Sequence, residues 1–76
     1  MNKKRRERLR EVLNSIQAIV AILQSICDKE EDCVDRYPEN LQNSEKYERM
    51  EGAVEYLNEA VDKLDEVTEL ILSAMT

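Results

Sequence analysis

The sequence contains no histidine, tryptophan or phenylalanine, and glycine and proline occur once each among its 76 residues. Without histidine, neither a Ser-His-Asp triad nor a Cys-His pair can be built. The two cysteines do not form a C-x-x-C pair, so they do not indicate a zinc site either. We therefore expect a protein that is not an enzyme and that uses no metal or cofactor.

The composition favours helices. Charged residues make up 37% of the chain and hydrophobic residues 42%, a balance typical of long amphipathic helices rather than of disorder or a sheet sandwich. A chain of this length forms one small domain and buries a modest fraction of its surface, so a core of its own is marginal.

The net charge of −6 is distributed unevenly. Residues 1–10 contain six cations and one acid and sum to +5, whereas residues 11–76 carry −11. We call the six cations the basic tip: Lys3, Lys4, Arg5, Arg6, Arg8 and Arg10. The acidic remainder argues against general binding of duplex nucleic acid, but the basic tip leaves a local anion site open.

The cysteines and the apolar run after the basic tip indicate in which cellular compartment the protein is found. Cys27 and Cys33 lie in one predicted helix, where their spacing corresponds to roughly 9 Å, too far for a disulfide. We expect two reduced thiols, with Cys27 in the core. The apolar run Val12–Cys27 is interrupted by polar residues and is too short to span a bilayer, and no signal-peptide cleavage site follows it. A cytoplasmic protein without a membrane partner is expected.

The first half of the chain predicts a helix over about 4–36. Apolar residues recur there at steps of three and four, interrupted only by Glu30, and end near Tyr37: Leu9, Leu13, Ile16, Val20, Leu23, Cys27, Val34 and Tyr37. A second set, Val12, Ile19, Ile22 and Ile26, widens this stripe beyond what one partner helix can cover. We expect the helix to fray in the acidic run Asp28–Asp32.

A loop is predicted over 37–43 and a second helix over about 44–75. Pro38 disfavours continued helix at the preceding residue and can open a single turn, with Leu41 packed inward as a plug. Ser44, or Asn43 before it, is the expected N-cap, with acids following in the first turn.

The second helix has an uninterrupted heptad pattern. Its apolar positions are Tyr47, Met50, Val54, Leu57, Val61, Leu64, Thr68, Ile71 and Met75. Small residues repeat beside them, and the opposite side is acidic, with Glu48, Glu55, Asp62 and Glu69 on one line. Gly52 falls on the solvent side, where it costs about 1 kcal/mol relative to alanine.

These elements predict an all-α fold, an antiparallel two-helix hairpin roughly 48 Å long with heptad-like packing. Its excess apolar surface predicts a homo-oligomeric helical bundle, a dimer or higher, with the packing order of the hairpins open. The expected oligomer core consists of Ile16, Ile19, Val20, Ile22, Leu23, Ile26, Val54, Leu57, Val61, Leu64 and Ile71.

Two segments are candidate binding sites, and each also has a simpler structural interpretation. The basic tip is either a solvated end balanced by Glu66, Glu69 and the terminal carboxylate, or a cluster that binds phosphate. The loop either only reverses the chain or contacts a ligand through five polar and aromatic residues: Arg36, Tyr37, Asn40, Gln42 and Tyr47. The acidic face is either a solubilising surface or a mimic of a nucleic-acid backbone.

The middle of the chain resembles short helical proteins of phages, prophages and integrative elements. Those proteins carry a D-x-x-P-E-x-L-Q-x-S motif followed by M-E-x-A and L-x-E-A. The matching positions are Asp35, Pro38, Glu39, Leu41, Gln42, Ser44, Met50, Glu51, Ala53, Leu57, Glu59 and Ala60. Gly52 departs from the acidic residue expected there. The matched stretch covers about the middle third of the chain, and the family has no settled activity.

The resemblance implies a genomic setting in which small helical proteins act by binding. The leading hypothesis is a counter-defence protein that sequesters an anionic nucleotide signal between protomers. The alternatives are an interaction module that inhibits a host protein through its acidic face or loop, and a structural accessory protein without a ligand.

Overall fold

The computed structural model describes all 76 residues and contains only helices. Helix α1 runs over Lys3–Asp35 and helix α2 over Glu45–Met75, with a short 3₁₀ helix at Glu39–Leu41 between them. The two long helices pack against each other, and the rod-shaped molecule measures 59 × 16 × 13 Å. The predicted all-α helical hairpin is therefore confirmed, whereas its association into an oligomer stays a prediction.

Both ends of α1 are set by local hydrogen bonds. Asn2 caps the start, because its Oδ1 accepts a hydrogen bond of 2.9 Å from the backbone N–H of Arg5. At the other end, the backbone N–H of Arg36 donates to the carbonyl of Asp32. The helix is continuous through Asp28–Asp32, so the expected fraying in this acidic run is wrong. Cys27, which precedes the run, is buried, and this tertiary packing outweighs the unfavourable charge.

The loop reverses the chain as a single turn. The backbone N–H of Leu41 donates to the carbonyl of Pro38 at 2.9 Å, so the turn predicted after the proline is confirmed. The expected inward plug is wrong, because the Leu41 side chain is 46% exposed. The rings of Tyr37 and Tyr47 instead occupy the space next to the loop, with their centroids 5.5 Å apart and their planes at 44°.

Helix α2 begins at the cap expected from the sequence. The Oγ of Ser44 accepts a hydrogen bond of 3.2 Å from the backbone N–H of Tyr47, and Glu45 and Glu48 lie in the first turn, where the helix dipole favours acids. The helix continues through Gly52 without a break, and beyond its chain neighbours and the backbone of its own helix no atom lies within 4 Å of the position that a Cβ would take there.

The two helices meet along one stripe on each, which we call the facing seam. On α1 and the residues after it, the facing seam consists of Leu9, Leu13, Ile16, Val20, Leu23, Cys27, Glu30, Val34 and Tyr37. On α2 it consists of Tyr47, Met50, Val54, Leu57, Val61, Leu64, Thr68, Ile71 and Met75. Only Ile16 and Cys27 are buried, at 9% and 3% exposure, and the other positions are half-buried. The hairpin therefore has a thin core.

Each helix also carries a second stripe, one residue before each facing-seam position and extended on α1 by one turn to Arg5, and we call the two together the open face. On α1 and its C-cap it comprises Arg5, Arg8, Val12, Ser15, Ile19, Ile22, Ile26, Lys29, Cys33 and Arg36. On α2 it comprises Lys46, Arg49, Ala53, Tyr56, Ala60, Lys63, Val67, Leu70 and Ala74. Ala53 and Ala60 are half-buried and all the others are exposed.

The predicted oligomer core divides between these surfaces. Most of its members lie in the facing seam, buried or half-buried within the single hairpin. Ile19, Ile22 and Ile26 lie on the open face and are 49%, 62% and 46% exposed. Nothing within one hairpin covers these three isoleucines.

Candidate functional site

The basic tip forms the first turns of α1. Five of its six side chains are exposed and Arg6 is half-buried. The Nε of Arg6 is shielded from solvent and has no hydrogen-bond partner within the chain.

The acids expected to balance the basic tip do not pair with it. Glu66 instead forms an ion pair with Lys63, with 3.7 Å between Oε2 and Nζ. The other ion pair of the chain joins Oε2 of Glu45 and Nη2 of Arg49 at 3.4 Å. Both ion pairs lie within α2, so no carboxylate is in direct contact with a cation of the tip. The cations of the tip therefore form no ion pair within the chain, although Glu7 and Glu11 lie nearby in the same helix.

An open groove of about 790 Å³ adjoins the basic tip. Its lining comes from the first 19 residues alone: Met1, Arg5, Arg8, Leu9, Glu11, Val12, Ser15, Ile16 and Ile19. Arg5 and Arg8 supply guanidinium groups, and aliphatic side chains supply most of the rest. Two cations beside an apolar surface suit a ligand that combines an anionic group with a flat or apolar part.

The basic tip does not enter this groove as one cluster. Lys3, Lys4, Arg6 and Arg10 are absent from the lining, because successive residues of a helix point in different directions. Met1, Glu11 and Ser15 were not among the residues predicted for a site. Ser15 is identifiable from the sequence, since it continues the three-four spacing of Val12 and Ile19.

The residues predicted at the loop come together only in part. Tyr37, Gln42 and Tyr47 are half-buried neighbours, with the Nε2 of Gln42 donating to the carbonyl of Tyr37 at 3.4 Å. Arg36 and Asn40 are exposed and make no side-chain hydrogen bond within the chain. The length of α1 separates the loop from the basic tip, so one hairpin does not combine the two predicted sites.

A polar group that the sequence did not predict joins the helices near their middle. The Sγ of Cys27 lies 3.2 Å from Oδ1 of Asn58 and 3.8 Å from Oε1 of Glu31. The Nδ2 of Asn58 donates to the same Glu31 oxygen at 3.4 Å. The only feature of the sequence that indicates this polar group is the position of Asn58, directly after the facing-seam residue Leu57.

The chemistry of Cys27 is that of a structural thiol. Burial raises the pKa of the Cys27 thiol above its ordinary value, and the carboxylates of Glu31 and Asp28 raise it further. A buried thiol that stays protonated is a poor nucleophile. Both Cys27 and Cys33 are free thiols, and Cys27 is buried, so its expected position in the core is confirmed.

No group of three or more Cys, Asp and Glu side chains is arranged to hold a metal ion. Neither long helix contains a stretch apolar and long enough to pass through a membrane.

The chain matches no protein-family model, no curated protein and no solved structure. The resemblance to short phage and mobile-element proteins therefore stays a prediction.

Proposed function

We propose that this protein is a non-enzymatic, cytoplasmic binding protein of phage or mobile-element origin. It works as a homo-oligomer of antiparallel hairpins and captures an anionic nucleotide at a site between protomers. The observation that carries this proposal is the basic tip, which has no ion-pair partner and adjoins an open, mostly apolar groove.

The contacts between the helices support the antiparallel arrangement. Tyr37 contacts Tyr47, and further from the loop Cys27 contacts Asn58. As the residue number on α1 decreases, the number of the residue that it contacts on α2 increases. This is the pattern expected of antiparallel helices.

The thin core supports self-association. Two buried residues in a chain of 76 are far fewer than a stable single domain needs. Small helical proteins commonly meet this need by packing hairpins into a four-helix bundle.

The ligand class follows from the groove. Arg5 and Arg8 can bind phosphate oxygens through two N–H groups each. The apolar side chains between them and Ile19 can pack on a nucleobase. A nucleotide combines these two chemistries in one molecule.

Equilibrium dialysis against a pool of cyclic and linear nucleotides tests the proposal. The wild-type chain should concentrate at least one nucleotide. The variant Arg5→Ala/Arg6→Ala/Arg8→Ala should lose the uptake and keep its oligomeric state. The matched variant Arg36→Ala/Asn40→Ala/Gln42→Ala should retain it.

The two variants separate the two predicted sites. Uptake lost only in the loop variant would move the site to the loop, and no uptake by the wild-type chain would defeat nucleotide capture.

The alternative function is inhibition of a host protein through the acidic face. One observation favours it: Glu48, Glu55, Asp62 and Glu69 are all exposed and form no ion pair. A stoichiometric protein band captured from host lysate, and lost when these four acids are changed to glutamine, would support it. An accessory protein without a ligand would show neither that band nor nucleotide uptake.

A further inference from the structure

The open face differs in charge from the rest of the molecule. It carries seven of the chain's 11 lysines and arginines and none of its 17 aspartates and glutamates. In a protein with a net charge of −6, this gives a surface that is locally cationic and free of carboxylates.

The two stripes of the open face lie on one side of the hairpin. On both helices the stripe precedes the facing seam by one residue, which is a rotation of about 100° about the helix axis. Because the helices of an antiparallel hairpin run in opposite directions, the same rotation turns both stripes to the same side. The result is one continuous surface along the hairpin.

Apolar residues occupy the middle of this surface. On α1 they extend from Val12 to Ile26, and on α2 from Tyr56 to Ala74, a region level with that stretch of α1. The exposed fractions of Ile22, Tyr56 and Leu70 are 62%, 75% and 70%. Small and large residues alternate on α2, which provides the relief into which facing side chains can fit.

Cations occupy both ends. Arg5 and Arg8 lie at the end that holds the termini, whereas Lys29, Arg36, Lys46 and Arg49 lie toward the loop. The remaining cation, Lys63, is in the middle and pairs with Glu66 at the edge.

The chain exposes more surface than a compact folded monomer of its mass. A compact folded monomer of this mass exposes about 4,800 Å², whereas this 8.9 kDa chain exposes 6090 Å². The excess of about 1,300 Å² is larger than the roughly 800 Å² that one partner contributes to a standard interface.

We propose that a second copy of the chain packs its open face on this one, and that the dimer takes up polyvalent anions at its ends. The anion class rests on the proposed function, whereas the interface does not. Two faces can meet about a two-fold axis along the hairpin or across it. Either way cations meet cations, and no carboxylate is present on the face to neutralise them. Bound anions remove this repulsion.

Sedimentation equilibrium on a matched pair of variants tests the interface. Ile22→Lys places a charge on the open face, and Leu72→Lys places the same charge on an apolar residue that is 49% exposed but lies outside it. The wild-type chain and Leu72→Lys should be dimers, and Ile22→Lys should be a monomer or unfolded.

A second measurement does not depend on the variants. If the dimer is the stable form, the thermal midpoint of the wild-type chain must rise with protein concentration. A monomeric wild-type chain with a constant midpoint would overturn the interface. A monomer that binds vesicles of anionic lipid would assign the face to a membrane instead.

Inorganic pyrophosphate tests the anion linkage. Relative to sodium chloride at equal ionic strength, it should lower the dimer dissociation constant by about tenfold. The variant Arg5→Ala/Arg8→Ala should dimerise at least as tightly without pyrophosphate and show a smaller response.

A dimer indifferent to pyrophosphate would overturn the anion sites. A dimer that responds to pyrophosphate but takes up no nucleotide in dialysis would defeat nucleotide capture and leave this proposal standing.

Discussion

The sulfur of Cys27 lies 3.2 Å from the amide oxygen of Asn58, and both side-chain hydrogen bonds that join the two helices are made by Asn58. Burial, followed by the nearby carboxylates of Glu31 and Asp28, raises the pKa of the Cys27 thiol and favours its protonated form. In the unfolded chain these influences are lost and the pKa returns to its ordinary value.

Stability should therefore fall at alkaline pH. Between the unfolded and folded pKa values of Cys27 the native state binds more protons, so the free energy of unfolding decreases as the pH rises above about 8.5. Urea unfolding at fixed protein concentration, at neutral pH and above this range, measures the decrease. Cys33→Ser should show the same decrease and Cys27→Ala a smaller one; equal slopes in all three proteins would contradict the assignment.

The cap of α2 gives a second prediction. Ser44→Ala removes the acceptor for the backbone N–H of Tyr47 and should lower the free energy of unfolding by about 1 kcal/mol. Ser25→Ala is the control, because Ser25 is exposed inside α1 and makes no capping hydrogen bond. Urea titration of both variants at one protein concentration gives the comparison, and similar effects would show that the cap contributes little.

Replacing Gly52 with alanine should make the protein more stable. Gly52 lies inside α2 with free space around the position of a Cβ, so Gly52→Ala should raise the free energy of unfolding by roughly 0.5–1 kcal/mol. The gain appears as a higher urea midpoint with an unchanged denaturant slope. A loss of stability would mean that a partner approaches the backbone closely at this position.

The exposed position of Leu41 predicts a small effect of truncation. Leu41→Ala should change the free energy of unfolding by about 0.5 kcal/mol or less, because the side chain is 46% exposed. Leu57→Ala, in the facing seam, should cost about 2 kcal/mol. Thermal and urea unfolding of the two variants checks this prediction. Comparable losses of stability would show that Leu41 packs in the core.

The periodicity of the sequence predicted the helices well for physical reasons. Three-four spacing determines which side of a helix is apolar, and both facing seams follow from it without knowledge of the partner. The cap at Ser44 and the turn after Pro38 are equally local, because each depends on a few neighbouring residues.

The errors concern contacts between distant residues. Leu41 was expected to pack inward because it is the apolar residue of the loop, but it is 46% exposed, and the ring contact beside the loop joins Tyr37 and Tyr47, ten residues apart in sequence. Fraying at Asp28–Asp32 was expected from local charge, whereas packing against α2 keeps this segment helical.

The candidate site, too, has features that the sequence predicts and features that depend on contacts between distant residues. The composition of the basic tip can be read directly, but its lack of an ion pair with Glu66 depends on the registration of the helices and on the competing Lys63. The position of the cations on the open face, by contrast, follows from the three-four spacing, because each stripe lies one residue before a facing seam and an antiparallel hairpin turns both stripes to the same side.

Native mass spectrometry of the gently purified chain, alone and then with pooled cyclic and linear nucleotides, tests the central claim most directly. It reports the number of subunits and any bound ligand in one spectrum. We predict a discrete oligomer that gains the mass of a nucleotide and loses that gain in the variant Arg5→Ala/Arg6→Ala/Arg8→Ala. A compact monomer that stays bare in the presence of the pool would contradict both the assembly and the function.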